Sequence, residues 1–367
     1  MGVCKICGKE NECISSFLGL CRNCILEKEK ALEIAKSAHE NSRKKFGLTP
    51  SLPKAQKGLK CFGCGNECKI AEGEKGFCGL VKNEGNKLIR LAGTPQKGLC
   101  EWYYDALPTN CVASWVCPAG TGVGYPKYAY KKGPEYGYYN LAVFYGACNF
   151  DCLFCQNWHF RENTKKLQPI ISAKELASKV NESVSCICFF GGNPDPQLTH
   201  AIETSKLALK LKKGILRICL ETNGNANWNL LKEFAKISFK TGGCIKFDLK
   251  FPKGSRLNKA LTGVSNEKSY ENFEKLVKLH KKRREVPFLI ASTLLIPGYV
   301  SEEEIREISR FIASLDSSIP YSLLAFYPCF EMKDLPLTTR KFAESCLKIA
   351  KEEGLERVRI GNIHLLV

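Results

Sequence analysis

From residue 141 onward, short apolar runs alternate with longer stretches in which apolar positions recur every three or four residues. The runs 141–145, 184–190, 215–221, 243–248, 288–295, 320–326 and 356–360 are predicted strands. Helical periodicity occupies the segments near 173–180, 199–212, 228–236, 268–281, 302–314 and 338–352. Strands separated by helices of this length predict an α/β fold, a parallel sheet covered by helices. A dinucleotide-binding fold would need a Gly-rich loop after the first strand, and cysteines stand there instead.

The chain before residue 141 follows another pattern. Cys4-Lys5-Ile6-Cys7 and Cys21-Arg22-Asn23-Cys24 are two CxxC knuckles separated by thirteen residues, with Cys13 spare between them. Four thiolates at that spacing suit tetrahedral zinc, and the segment is too short to fold on apolar burial alone. A charged helical pattern follows from Ile25, with Leu26, Leu32, Ala35 and Ala38 as its apolar positions, and reads as a spacer. Pro50 and Pro53 end it. The expected divisions are a zinc-ribbon-like knuckle module and helix over 1–45; a linker, second cysteine-rich module and tyrosine-rich loop over 46–140; and the α/β unit over 141–367.

In the middle division, Cys61, Cys64, Cys68 and Cys78 stand among Gly63, Gly65, Gly73, Gly76 and Gly79. Such glycine density implies backbone wrapped tightly around something. Zinc, an auxiliary iron–sulfur cluster and plain packing of small apolar residues all satisfy the spacing. A short hairpin is expected over 80–95, with Lys87 to Leu91 its better strand. Beyond it, six tyrosines fall within fifteen residues, Tyr125 to Tyr139, interleaved with Lys127, Lys131 and Lys132. They read either as a stacking surface or wall over an active site, or as an ordered loop whose aromatics pack on the mouth of the α/β unit. Cys100, Cys111 and Cys117 either ligate a group of their own or complete the second set.

Composition narrows the setting. No run of 18 uncharged apolar residues occurs, and Met1-Gly2-Val3-Cys4 lacks the basic region and apolar core of a signal peptide, so a cytoplasmic protein with no membrane partner is expected. Of the 21 cysteines, twelve precede Cys148 in mostly paired spacings, which fits metal or iron–sulfur binding in a reducing compartment better than disulfides. Against 37 acidic residues stand 55 basic ones, a formal charge of +18. That excess favours anionic partners such as RNA, nucleotides or an acidic protein surface. Lysine-rich surfaces laced with glutamate, as in Glu27-Lys28-Glu29-Lys30, also suit hot habitats.

The densest chemistry is Cys148-Asn149-Phe150-Asp151-Cys152-Leu153-Phe154-Cys155, directly after the apolar run Leu141 to Tyr145. Three thiolates within eight residues can converge on one inorganic cluster. Three is one fewer than a four-iron cubane takes, which leaves an iron for a small molecule. A zinc knuckle or a set of buried thiols is the plainer alternative. The CxxxCxxC spacing resembles the cluster motif of the radical S-adenosylmethionine (SAM) enzymes. The longer string Cys152-Leu153-Phe154-Cys155-Gln156-Asn157-Trp158 is similar to the branch related to the pyruvate formate-lyase activating enzymes and their uncharacterised archaeal and bacterial relatives.

The resemblance implies a partial (β/α)6 TIM-like barrel preceded by cysteine-rich metal-binding modules, with catalytic groups at the C-terminal strand ends. It implies that Cys148, Cys152 and Cys155 each bind one iron of a 4Fe-4S cluster, with Phe154 and Gln156 beside bound S-adenosyl-L-methionine. Reduced ferredoxin or flavodoxin would supply the electron that cleaves SAM to a 5'-deoxyadenosyl radical. The methionyl amino group falls to Gly191-Gly192-Asn193-Pro194, in which Asn193 replaces the usual acidic residue. Thr222, Asn223 and Gly224 fall to ribose hydroxyls or the methionyl carboxylate, and Asp248 and Lys250 to the same groups from the next strand. Thr293 to Gly298 resembles the adenine-side loop, and Tyr327 stands where some activating enzymes carry a histidine. Among the histidines, His159 is nearest the cluster, His200 reads as a helix-start residue, and His39, His280 and His364 carry no signal.

Three functions fit these readings. The first is radical modification, including methylation, of a macromolecular substrate, protein or RNA, supported by the added metal module, the Tyr-Lys segment and the basic charge. The second is activation of a glycyl-radical enzyme. The third is a non-enzymatic zinc or iron–sulfur scaffold that binds RNA. No DxHxxG motif for cobalamin accompanies the cysteines.

Overall fold

The computed structural model describes residues 1–367. All seven apolar runs become strands: β1 (Tyr139–Tyr145), β2 (Val184–Gly191), β3 (Arg217–Thr222), β4 (Ile245–Asp248), β5 (Leu289–Leu295), β6 (Tyr321–Ala325) and β7 (Val358–Gly361). They lie in sequence order and each pairs in parallel with the next. Helices Leu198–Leu211, Trp228–Thr241, Glu267–His280, Glu302–Leu315 and Arg340–Glu352 return the chain between or beside them. Capping matches the predicted starts: the Asn227 side chain accepts from Asn229 N and Leu230 N, and Ser301 with Glu304 forms a capping box. The fold is α/β, a partial barrel of six strand-helix units with β7 at its far edge.

The sheet carries nine strands, two more than the apolar runs predict. Gly98–Ala106 pairs antiparallel to β1, from Cys100 opposite Tyr145 to Ala106 opposite Tyr139, and Ile170–Ile171 pairs beyond it. Glu101, Tyr103 and Tyr104 on this outer strand face solvent. Its run therefore lacks the buried pattern that marks the inner strands, and aromatic-rich sequence reads as loop. Short helices Phe160–Lys166 and Arg256–Thr262 are likewise absent from the periodicity reading, each being only seven residues long.

The tyrosine-rich segment does not roof the C-terminal strand ends. Residues 107–138 close the opposite end, where the strands begin. Tyr130 Oη accepts from Ile215 N at 2.8 Å, just ahead of β3. Glu135, fully buried, accepts from Arg217 Nη1 at 2.9 Å and from Ser185 Oγ at 2.7 Å. A buried ion pair with its remaining lone pairs bonded in this way fixes the floor of the barrel.

The N-terminal helix is no free spacer. Glu29–Lys44 buries Ala31, Ala35 and Ala38, whose small side chains allow close approach to Arg256–Thr262, and it also buries His39 and Arg43. The knuckle module rests on the loops that follow β5 and β6. Tyr299 Oη accepts from Ser15 N and donates to Leu20 O, both at 3.0 Å, while Ser16 N donates to Asp334 and Arg22 pairs with Glu304. Removing one buried hydroxyl that serves two backbone groups costs about 1–3 kcal/mol. Tyr299→Phe is accordingly expected to speed limited proteolysis between the module and the barrel, with cleavage unchanged elsewhere; identical digestion of both proteins would refute the docking role. No helix is long and apolar enough to cross a membrane.

Candidate active site

Parallel strands bring all their C-terminal ends to one edge, so loops far apart in sequence meet there. The loop after β1 carries Cys148 and Cys152, both buried, and Cys155, partly exposed. These three thiols open into one cavity of about 170 Å³. Its wall continues through Phe154 and Gln156, then Gly191, Gly192 and Asn193 from the end of β2, Thr222 and Asn223 from the end of β3, and Asp248 and Lys250 from the end of β4. Pro194 and Gly224, assigned to the same pocket by resemblance, do not face it. Gly224 instead turns the chain with φ +78°, where a Cβ would strike the Phe247 ring at 2.4 Å. Gly191 has a direct steric reason: φ is +113° and a Cβ would lie 2.5 Å from Tyr145 N.

Electrostatics divide the cavity. Burial pushes the Cys148 thiol well up and the Cys152 thiol to about 12, the latter against the pull of Lys250. As free groups they hold their protons at neutral pH, and a metal must displace those protons to bind. Near Cys152, Lys250 pairs with Asp248. Burial works to lower its ammonium, but the adjacent Asp248 carboxylate together with the Cys152 and Cys155 sulfurs outweighs it, so the lysine stays charged. Soft sulfur donors and hard charged groups in one cavity suit an iron–sulfur cluster and a zwitterionic amino acid side by side.

Four asparagines hold the loops together. Asn149 Oδ1 accepts from Asn193 Nδ2 at 2.7 Å and from Asn223 Nδ2 at 2.9 Å, while its own Nδ2 donates to Asn225 O at 2.7 Å. Asn193 Oδ1 also accepts from Asn223 N. The departure from an acidic residue at 193 is thus spent on a neutral clamp that ties the β1, β2 and β3 loops. Asn157, whose Nδ2 donates to Gly191 O at 3.0 Å, adds a further tie.

The acid that pattern reading misses is Asp151, inside the cysteine motif itself. It is fully buried and gathers His39 Nδ1 at 2.8 Å, Arg161 Nη2 at 2.8 Å and Arg43 Nη1 at 3.4 Å. Burial opposes its charge, but Arg161, His39 and Arg43 prevail and hold the carboxyl far below its usual range. His39 carries no sequence signal because its partner lies 112 residues away. Arg161 keeps Nε and Nη1 without partners, leaving positive charge beside the three thiols where an anionic cluster would sit. His159 stacks on Phe144 at 4.6 Å rather than facing the cavity, and His200 bonds Tyr145 Oη at 2.8 Å.

Asp195 is the second buried acid. Burial pushes it up to about 6 despite the hydrogen bond from Thr222 Oγ1 at 2.6 Å and the nearby Asn193 and Asn149 amides, and its Oδ2 has no partner. An unfolded aspartate titrates near pH ~3.9. The folded state therefore binds this proton more tightly, and the stability so conferred is present below that value and lost as pH rises through about 6. Asp195→Asn is neutral throughout. Its stability relative to the parent protein should rise across this window by about 3 kcal/mol, read from urea midpoints in a pH series. A gap that does not change with pH would refute the assignment.

Residues 142–312 match the family model described as the Radical SAM superfamily. This chain carries a radical SAM domain. That domain indicates a radical SAM enzyme and implies a 4Fe-4S cluster, SAM, an electron donor and a substrate. The match begins within β1 and ends within helix Glu302–Leu315, so it covers the loops just described. Two proteins of Methanocaldococcus jannaschii are similar, both uncharacterised. MJ0808 is 24% identical over 316 residues, 83% of this chain and 81% of its own. MJ0674 is 26% identical over 241 residues, 59% of this chain and 63% of its own.

The radical SAM domain is accompanied by a second donor set. Cys4, Cys7, Cys21 and Cys24 have ligand atoms all within 4.8 Å of one another, a group that could hold a metal ion. Cys13 lies apart, its carbonyl against Gly298. Cys61, Cys64, Cys68 and Cys78 share one small cavity with Arg90. Cys100 is buried in the outer strand, whereas Cys111 and Cys117 turn into the barrel.

Proposed function

We propose that this enzyme generates a 5'-deoxyadenosyl radical and spends it on a macromolecular substrate, protein or RNA. The observation that carries the first half is the single cavity shared by Cys148, Cys152 and Cys155 with Asn223, Asp248 and Lys250. When bound, the cluster and SAM supply the radical chemistry. The three cysteines would hold the irons; Lys250, kept charged by Asp248, would meet the methionyl carboxylate; Asn223 would meet polar groups of SAM, beside Thr222, whose hydroxyl proton is already given to Asp195. Gly191 and Gly192 leave the backbone open to the ligand, and the asparagine clamp keeps the β1, β2 and β3 loops in register.

The second half rests on the knuckle module. It is fastened to the loops after β5 and β6, at the catalytic edge, through Tyr299, Glu304 and Asp334. A module held there enlarges the rim with its own surface, and at +18 the chain favours acidic partners. Zinc suits its four thiolates, and the cytoplasm suits its redox state. The branch of the pyruvate formate-lyase activating enzymes supplies a second reading, activation of a glycyl-radical partner.

Anaerobic incubation of the reconstituted enzyme with dithionite and SAM should yield 5'-deoxyadenosine; none formed would overturn the radical reading. A native partner captured anaerobically and then incubated with the same reagents separates the substrates by mass spectrometry. A covalent mass change on captured protein or RNA supports modification. An oxygen-sensitive backbone radical on a partner protein selects activation instead.

A further inference from the structure

The interior of this barrel is unusual in what lines it. Inward positions of such barrels are ordinarily filled by branched aliphatic side chains in layers. Here Cys186 and Cys188 come from β2, Cys219 from β3 and Cys244 from the residue before β4, while Cys111 and Cys117 rise from the segment that closes the floor. The register sets Cys188 directly beside Cys219. Glu221 is paired with Lys246, which places Cys219 beside Cys244 two residues earlier. Three thiols thus share one layer across three adjacent strands.

These six thiols surround a cavity of about 230 Å³ rather than fill it. All are free. Small apolar packing is a poor account of them, because an empty cavity in a core is destabilising in proportion to its volume. Lys246 makes that account poorer still. Its side chain is 2% exposed, and Nζ lies 3.1 Å from Cys111 Sγ, 3.1 Å from Cys188 Sγ and 3.1 Å from Glu221 Oε2. A buried ammonium needs anionic company, and the one carboxylate it has is 39% exposed. The occupant that suits the space is sulfur-loving, anionic and larger than one ion.

Zinc does not suit it. Zn–S bonds of about 2.3 Å bring tetrahedral sulfurs to roughly 3.8 Å from one another. The four N-terminal thiols answer to that, with Cys7 and Cys21 sulfurs 3.8 Å apart, and they are the one cysteine group whose ligand atoms all fall within 4.8 Å. No three of the barrel thiols have ligand atoms all within 4.8 Å of one another, and they line a space larger than one ion needs, which suits a multi-iron cluster.

We propose that the barrel interior is a second iron–sulfur site, its ligands drawn from Cys111, Cys117, Cys188, Cys219 and Cys244, with Lys246 as its counter-charge. Phe190, Asn157 and Glu221 face both this cavity and the one lined by Cys148, Cys152 and Cys155. The two sites are neighbours within one continuous interior, so whatever reacts beside SAM does so next to the second cluster.

Full-length protein reconstituted anaerobically with iron and sulfide tests this directly. The variant Cys188→Ala/Cys219→Ala/Cys244→Ala is expected to lose roughly two to four irons per chain and matching sulfide. It should also lose one component of the reduced electron paramagnetic resonance spectrum while keeping the component that shifts on adding SAM. Conversely, Cys148→Ala/Cys152→Ala/Cys155→Ala should lose the SAM-responsive component alone, so failure of either cluster is read separately. Lys246→Met should move the midpoint potential of the barrel cluster to more negative values, because a cation beside it stabilises the reduced form.

In case the triple variant misfolds, native alkylation of the unmutated protein with mass-spectrometric mapping gives the same answer. The barrel cysteines should resist labelling when reconstituted and accept it after iron is chelated. Unchanged iron and sulfide in the triple variant, zinc recovered at these residues, or equal labelling before and after chelation would overturn the proposal.

Discussion

Cys152→Ala should abolish reductive cleavage of SAM, with 5'-deoxyadenosine no higher than in a reaction without enzyme. The sulfur lies in the wall of the cavity shared with Lys250 and Asn223, and Cys148 and Cys155 are the only other cysteines that line it. Two remaining thiols hold a cubane poorly, so iron content should fall by about four per chain. Little of the fold is at stake, since alanine removes one small buried atom. A normal yield of 5'-deoxyadenosine from this variant, measured by chromatography after anaerobic incubation with dithionite, would remove Cys152 from the reaction.

Asp151 presents the opposite case, a residue whose loss should act through the fold first. Asp151→Asn leaves Arg43 and Arg161 buried without their carboxylate, and removing one partner from a buried ionic group costs about 3–5 kcal/mol. The N-terminal helix should loosen as a consequence, because His39 and Arg43 are its polar anchors on the cysteine loop. Denaturation midpoints and hydrogen exchange across 29–44 measure both effects. The pH dependence distinguishes this mechanism from a packing defect. Asp151 is held below its ordinary value, so its contribution is complete above the unfolded value near pH ~3.9 and is lost only as pH falls toward the depressed folded value. The difference between Asp151→Asn and its parent should therefore be constant above about pH 5 and shrink in acid. Equal stability of the two proteins at neutral pH would refute the role assigned to Asp151.

How much of this was legible beforehand differs by element. Runs such as 184–190 and 288–295 announce strands because burial on both faces demands nearly continuous apolar residues. The predicted helices from 199 to 352 announce themselves through the same demand at a different period. Residues 98–106 escape that reading because an outer strand needs only one buried face. Among site residues, Cys148, Cys152, Cys155, Gly191, Asn223, Asp248 and Lys250 are conspicuous, since each lies at or after the C-terminal end of a predicted strand. Asp151 and Asp195 are not, because an acid is expected on the surface until its partners are known.

The alternation of strands and helices, the knuckle spacing and the three cysteines after the first strand follow from local chemistry alone, because ligand spacing and hydrophobic period are short-range properties. Which charges meet did not follow. His39 and Arg43 find Asp151 only when a helix from the first fifty residues docks on the loop after β1, and Arg161 finds it from the short helix Phe160–Lys166. Likewise Cys111, Cys117, Cys188, Cys219 and Cys244 are scattered over more than a hundred residues and share no spacing. Curvature of a parallel sheet turns every second side chain of its strands toward one interior, and that tertiary fact, absent from any local pattern, gathers them around a single space.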